Sequence, residues 1–258
     1  MNRDEKKLQL YFCNPPEDIS LESIDLDRLP SHITIIMDGN GRWAQAQGMD
    51  RTRGHVAGVA SLRETITACV RLGIDCVSAY AFSTENWKRP QYEVNMLMKL
   101  FAQTLIKELP LFDKENVRLQ FLGDIDALPK SVADIFYKGL EHTKDHDGMV
   151  LALAVNYGSR AEITRAAKLI AKDVSEGKIS EDDIDQEYVA SKLYTANLED
   201  PELLIRTSGE LRLSNYLLWQ LAYTEFYITD KYWPDFGRWE LLRAIQAYQN
   251  RSRRFGGV

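Results

Sequence analysis

The chain has 258 residues, 45% hydrophobic and 27% charged, a length that suits one large domain or two small ones. Lys and Arg number 32 against 38 Asp and Glu, a formal charge of −6, which argues against a general nucleic-acid binder. Three scattered cysteines, Cys13, Cys69 and Cys76, are too few for a disulfide framework or a zinc site. No apolar run approaches the ~18 residues that span a bilayer. The charged N-terminus lacks a signal-peptide core, so the expected setting is a reducing cytoplasm.

Residues 1–30 read as a polar, acidic and flexible leader broken by Pro15, Pro16 and Pro30, and residues 31–258 as the folded domain. An apolar strand at 32–37 runs into Asp38-Gly39-Asn40-Gly41-Arg42, which reads as a glycine-rich turn. A helix over 54–72 ends at Gly73, a natural C-cap. A second strand at 74–82 feeds the polar loop 83–90. The segment 93–112 has helical spacing and a broad apolar face that includes Val94, Leu97, Phe101 and Leu105. Strands at 117–122 and 150–155 then alternate with helices at 129–146 and 160–174. Short strands at 203–206 and 225–228 and a helix at 238–251 close the chain. Strands apolar throughout, alternating with helices, predict one α/β domain around a mostly parallel sheet covered on both faces. Ligands of such sheets bind beyond the carboxyl ends of the strands.

The loops at those ends carry the chemistry. Two glycines and Arg42 beside Asp38 suit a phosphate whose charge a divalent cation shares with the carboxylate, and Mg²⁺ is the natural ion. Arg51, Arg53 and His55 stand at a helix start, where anions are favoured. The stretch Arg206-Thr207-Ser208-Gly209-Glu210-Leu211-Arg212-Leu213-Ser214 brings two guanidiniums and a hydroxyl to one turn, a combination suited to a diphosphate. Nucleotide-binding glycine fingerprints are absent. Two acidic or histidine-rich spots read as structural. Ser180 caps the acidic turn at 181–185, and His142 and His146 lack a third metal ligand.

Together the segments IIMDGNGRWA, Gly54-His55, YAFSTENWKRP, Asn156-Tyr157-Gly158, IRTSGELRLSNYLLWQ and RRFGG resemble the cis-prenyltransferase family, and within it the bacterial enzymes that make undecaprenyl diphosphate. The likeness runs from residue 32 to the C-terminus. It implies sequential cis-condensation of isopentenyl diphosphate onto an allylic diphosphate such as farnesyl diphosphate, with Mg²⁺ as cofactor and an elongated hydrophobic tunnel for the product. The catalytic residues it implies are Asp38 and Asn86. Around the allylic diphosphate it places Gly39, Asn40, Gly41, Arg42, Trp43, Arg51, His55, Ser83, Glu85, Trp87 and Arg89. Arg206, Arg212, Ser214 and Gly256 would hold isopentenyl diphosphate, and Asp38 and Glu225 the metal.

The resemblance further implies a homodimer whose C-terminal arm reaches the partner's site. It also implies transient contact with the inner face of the membrane when product leaves. Two local departures from the family pattern are Asp50, where proline is usual, and Ser159, where glycine is usual and a positive φ would be disfavoured. A synthase of shorter chains would share the chemistry. A noncatalytic partner subunit would lack the metal-handling residues retained here.

Overall fold

The computed structural model describes residues 4–251. After helix α1 (Glu5–Tyr11) come six strands: β1 (His32–Ile36), β2 (Cys76–Ser83), β3 (Arg118–Leu122), β4 (Val150–Tyr157), β5 (Leu203–Arg206) and β6 (Glu225–Ile228). They form one sheet in the order β3-β4-β2-β1-β5-β6, and all five pairings are parallel. Parallel neighbours need long crossovers. Helices α2 (Asn40–Ala46) and α3 (Arg51–Leu72) link β1 to β2, α4 (Gln91–Glu115) links β2 to β3, and α5 (Lys130–Thr143) links β3 to β4. From β4 the chain reaches β5 through α6 (Ser159–Ser175) and α7 (Gln186–Ala190), and α8 (Arg238–Gln249) follows β6. The parallel α/β architecture expected from the apolar strands is the one observed.

Strand β1 is buried along its whole length between β2 and β5, with Ile33 opposite Val77 on one side and Leu203 on the other. Ile33 and Ile35 join the larger core with α3, α4, α5 and α8, whereas Ile36 joins a smaller core with Leu204 and Tyr216. The chain leaves β1 towards β2 and later returns from β4 to β5 on the other side of β1. A crevice therefore opens at the carboxyl ends of β1 and β5, where the strand order reverses.

Residues 4–30 are packed against this frame. Leu8, Phe12, Ile19 and Ile24 are buried in the larger core, and Phe12 meets Trp239 of α8 edge to face. Asp4 caps α1 by accepting from the Lys7 N–H. The apolar side chains of this segment, too irregularly spaced to announce an element, seat it on the domain.

Below the smaller core, His32 is almost fully buried, with Nδ1 2.6 Å from the Glu199 carbonyl and Nε2 2.9 Å from the Ser78 hydroxyl. Burial lowers its pKa from 6.5 to about 4, against the opposing pull of the Glu199 carbonyl and Glu202. The unfolded chain takes up this proton near pH 6.5, the folded chain only near pH 4. Folding stability is thus full above pH 6.5 and declines as pH falls towards 4. Urea midpoints across that window should show the decline in the native chain and a flatter profile in His32→Gln.

Candidate active site

Asp38 stands just past β1, and Arg206, the last residue of β5, is paired with Ile36 two residues before it. The Arg206 guanidinium donates to Asp38 Oδ2 at 2.8 Å and to Ser214 Oγ at 3.0 Å, and also to the Arg212 carbonyl. Arg42 donates to Asp38 Oδ1 at 3.2 Å and to Glu210 Oε1 at 2.8 Å, while Arg212 pairs with the other oxygen of Glu210. Burial pushes the Asp38 carboxyl up, but Arg206, the Gly39 N–H and Arg42 together hold it below the ordinary carboxylate value. Asp38 is an anion clamped between two guanidiniums.

The segment after Asp38 is a helix start, not the expected free turn. Gly39, at φ +96°, is its N-cap, and a Cβ there would lie 2.7 Å from the Tyr232 ring. The Arg51 guanidinium lies over Gly41, about 3.0 Å from where a Cβ would stand. Asp50 caps α3 through the Thr52 N–H, so this departure from the family pattern supplies the helix start. At Gly54 the contact is tightest, since a Cβ would meet the Asn40 carbonyl oxygen at 1.8 Å. Gly54→Ala should therefore force α2 from α3 and destabilise the fold by about 2–3 kcal/mol, read as a lowered urea midpoint. An unchanged midpoint would mean the two backbones are not locked.

Three buried polar atoms around Asp38 have no hydrogen-bond partner among the described residues: Asn40 Oδ1, Arg206 Nε and Ser208 Oγ. Buried polar groups are nearly always paired, so donors and acceptors left over here suit a polar ligand. A cavity of about 360 Å³ opens beside them. Its mouth carries Asp38, Asn40, His55, Arg206, Arg212 and Ser214, and its interior is walled mainly by apolar side chains such as Leu97, Phe101, Leu105 and Phe136, with the paired Arg63 and Glu108 also on the wall. Val59, Ala81 and Leu151 also line it, whereas Met149 is buried elsewhere in the core. Burial, then Arg89 and Arg51, lowers the His55 pKa from 6.5 to about 4 against the pull of Glu93, which leaves a neutral imidazole at the mouth.

The second strand contributes the opposite lip. Ser83 and Asn86 form a capping box on the 3₁₀ turn Thr84–Lys88, and Ser83, Asn86 and Arg89 line the cavity. Arg89 donates to Glu93 Oε1 at 2.8 Å, which fixes it to the first turn of α4. Glu85 and Trp87 do not line the cavity and are bonded instead to Asn215 and, near the end of β4, to Asn156 respectively. Trp43 donates to Asp235 at 2.8 Å and does not line the cavity.

Glu225, expected beside Asp38 as a metal contact, stands apart from it within this chain. It begins β6 opposite Leu203 of β5, which pairs with Ile33 near the start of β1, whereas Asp38 follows the other end of β1, so within this chain the two carboxylates lie at opposite ends of the sheet. Glu225 instead accepts from Arg251 at 2.7 Å. Gly256, with Arg254 and Phe255, lies outside the described residues. Among those described, no three acidic, histidine or cysteine side chains gather as a metal cluster. One carboxylate fits Mg²⁺ only in the manner that ion favours at phosphates, with waters and substrate oxygens completing its shell. The acidic stretch from 181 is a capped 3₁₀ turn, as its Ser180 suggests. Ser159 starts α6 and its hydroxyl accepts from the Leu218 N–H, while the positive φ of this region falls on Asn156.

Sequence reasoning missed Glu210, which neutralises Arg42 and Arg212, and Ser208 and Tyr232, which pack on Gly39. Glu210 sits inside the motif that drew attention to Arg206, so its charge was a usable signal. Tyr232 is distant in sequence and gave none.

The family profile described as “Putative undecaprenyl diphosphate synthase” matches residues 36–256. A protein of Halalkalibacterium halodurans named “Isoprenyl transferase” is 49% identical over 236 residues, covering 92% of each chain. The crystal structure of lavandulyl diphosphate synthase from Lavandula x intermedia, in complex with dimethylallyl diphosphate, aligns with a TM-score of 0.87 at 37% identity, over 89% of this chain and 99% of that one. That of “a probable undecaprenyl diphosphate synthase” from Campylobacter jejuni aligns at 0.74 and 34%, over 88% and 99%. With such matches along nearly its whole length, and with the Asp38–Arg206 cluster at the mouth of an apolar cavity, the chain belongs to the undecaprenyl diphosphate synthase family of isoprenyl transferases.

Proposed function

We propose that this isoprenyl transferase adds isopentenyl diphosphate repeatedly to farnesyl diphosphate, building cis double bonds up to undecaprenyl diphosphate, the lipid-carrier precursor of cell-wall synthesis. The observation that carries the reading is a charged cluster of Asp38, Arg42 and Arg206, of which Asp38 and Arg206 line a cavity that is otherwise walled mainly by apolar side chains. Gly39 to Arg42 and His55 would hold the allylic diphosphate, and Arg206, Arg212 and Ser214 that of isopentenyl diphosphate. The growing chain would follow Leu97, Phe101 and Leu105 along α4, which makes the cavity the start of a product tunnel. Each added five-carbon unit contributes about 3–4 kcal/mol of burial, at ~0.8 kcal/mol per CH₂-sized group.

Asp38 would hold Mg²⁺, which when bound offsets the charge growing on the allylic diphosphate as its C–O bond breaks. In exchange, Arg42 and Arg206 turn their donors from Asp38 to phosphate oxygens, where charge-assisted bonds are strongest. The isopentenyl double bond attacks the allylic carbon and a proton then leaves C2. Neutral His55 and the released diphosphate are the acceptors this mouth offers. A homodimer completed by the C-terminal arm, a cytoplasmic setting and membrane contact during release belong to the same reading. Among the described residues no helix is long and apolar enough to cross a membrane.

A short-chain product is the second reading, favoured by the name and ligand of the lavender neighbour. Incubation with radiolabelled isopentenyl diphosphate and either farnesyl or dimethylallyl diphosphate, with Mg²⁺ or EDTA, separates them. A metal-dependent ladder ending near undecaprenyl is expected. Single condensation of dimethylallyl diphosphate would favour the second reading, and no incorporation would overturn both.

A further inference from the structure

The side chain of Asn215 ties together the two lips of the cavity mouth. Its Nδ2 donates to Glu85 Oε1 at 2.8 Å, and its Oδ1 accepts from the Arg160 N–H at 2.9 Å. Its own carbonyl accepts from the Ser159 N–H at 2.8 Å. Glu85 belongs to the turn Thr84–Lys88, which carries Asn86 and leads into Arg89, both on the cavity wall. On the other lip, Asn215 directly follows Ser214, whose hydroxyl receives Arg206. Gly158 shows how closely these segments converge. A Cβ there would stand 2.8 Å from Asn215 Nδ2 and 2.6 Å from Thr84 Oγ1.

The backbone around Asn215 is held in an unfavourable shape. Ser214, Asn215 and Leu217 have φ of +51°, +62° and +43°. Each such residue is disfavoured unless its surroundings enforce it, and asparagine tolerates the region best. The side-chain ties of Asn215 are among the contacts that enforce it. A second tie, Trp87 Nε1 to Asn156 Oδ1 at 2.7 Å, holds the same turn from another side. Losing the Asn215 tie therefore shifts the turn's register without releasing it.

We propose that Asn215 is a positioning residue for prenyl transfer, fixing the turn that carries Asn86 and Arg89 against the loop that carries Arg212 and Ser214. The inference rests on the function proposed above, which gives Arg212 and Ser214 to isopentenyl diphosphate, with Arg89 on the facing lip expected beside the allylic diphosphate. Transfer between two bound reactants is sensitive to their separation, and a misplacement near 1 Å can lower the rate by about 10²-fold.

The test uses the full chain and a polarity swap. Asn215→Asp keeps an oxygen for the Arg160 N–H but sets a carboxylate against Glu85. Its kcat/KM for condensation should fall roughly 10- to 100-fold, mainly in kcat. Hydrogen exchange of the amides of residues 84–89 should quicken. Adding Glu85→Gln lets the new amide donate to the new carboxylate, which rebuilds the same hydrogen bond in reverse, and both readouts should return most of the way. Glu85→Gln alone, which still accepts from Asn215, is measured beside it, and the double variant is compared with that level rather than with the unmodified chain, since Glu85 is itself expected near the allylic diphosphate. Unchanged exchange and kcat/KM in Asn215→Asp would overturn the proposal, as would a loss that the swap does not repair. An unmodified chain that transfers no prenyl group would instead sink the proposed function, while the exchange arm would still decide whether Asn215 holds the turn.

Discussion

Asp38→Asn is expected to lower condensation by roughly two to three orders of magnitude while the chain stays folded. The amide preserves the shape and an acceptor for Arg206, so the packing of the mouth survives. What disappears is the negative charge that would hold Mg²⁺ and let the guanidiniums exchange partners. Asp38→Ala should differ in stability. The Arg206 side chain is only 3% exposed, and alanine leaves it without a carboxylate. Removing one partner of a fully buried pair costs about 3–5 kcal/mol. Asp38 is 28% exposed, so the loss should fall below that range. Initial rates and urea midpoints of both variants check the argument. A folded Asp38→Asn working near the native rate would contradict it.

Arg206→Ala should raise KM for isopentenyl diphosphate about 10- to 100-fold, corresponding to one or two lost charge-assisted hydrogen bonds. KM for the allylic substrate should rise less, because Arg42 and His55 remain beside it. A second readout is pH. Arg206 is the strongest of the groups holding the Asp38 pKa down against burial. Without it the carboxyl titrates at higher pH, so the acid limb of the activity profile should move upward. Arg206→Lys keeps the charge but not the fork that reaches Asp38 and Ser214 together, and should recover only part of the loss. Equal rises in KM for both substrates would remove the division between the two subsites.

The parallel sheet was legible because β1, β2 and β5 are short, mostly apolar runs, as strands of a sheet covered on both faces are. Helix α2 was not, because Gly39 and Gly41 look like turn residues. Gly39 does take a positive φ, but Gly41 is a helical position kept small for Arg51. Leu8, Phe12, Ile19 and Ile24 follow no single period, so their burial could be seen only in three dimensions. At the site, Asp38, Arg42 and Arg206 could be named from motif and chemistry, and the chain brings them into contact. Glu225 shows the limit of that method. Its place at the start of β6, at the other end of the sheet from Asp38 within this chain, follows from strand direction, which no motif records. Asn215 lies in the motif that drew attention to Arg206 but carries no charge, and its ties reach Glu85, 130 residues away, and Arg160, 55 residues away.

The central claim is that the cavity under Asp38 receives the prenyl chain while the diphosphates stay at its mouth. A crystal structure with Mg²⁺ and an unreactive thio analogue of farnesyl diphosphate tests it most directly. The account predicts the diphosphate beside Asp38, Arg42 and His55, and the tail between α3 and α4 against Leu97, Phe101 and Leu105. A tail lying outside the cavity, or a diphosphate bound away from Asp38, would contradict it.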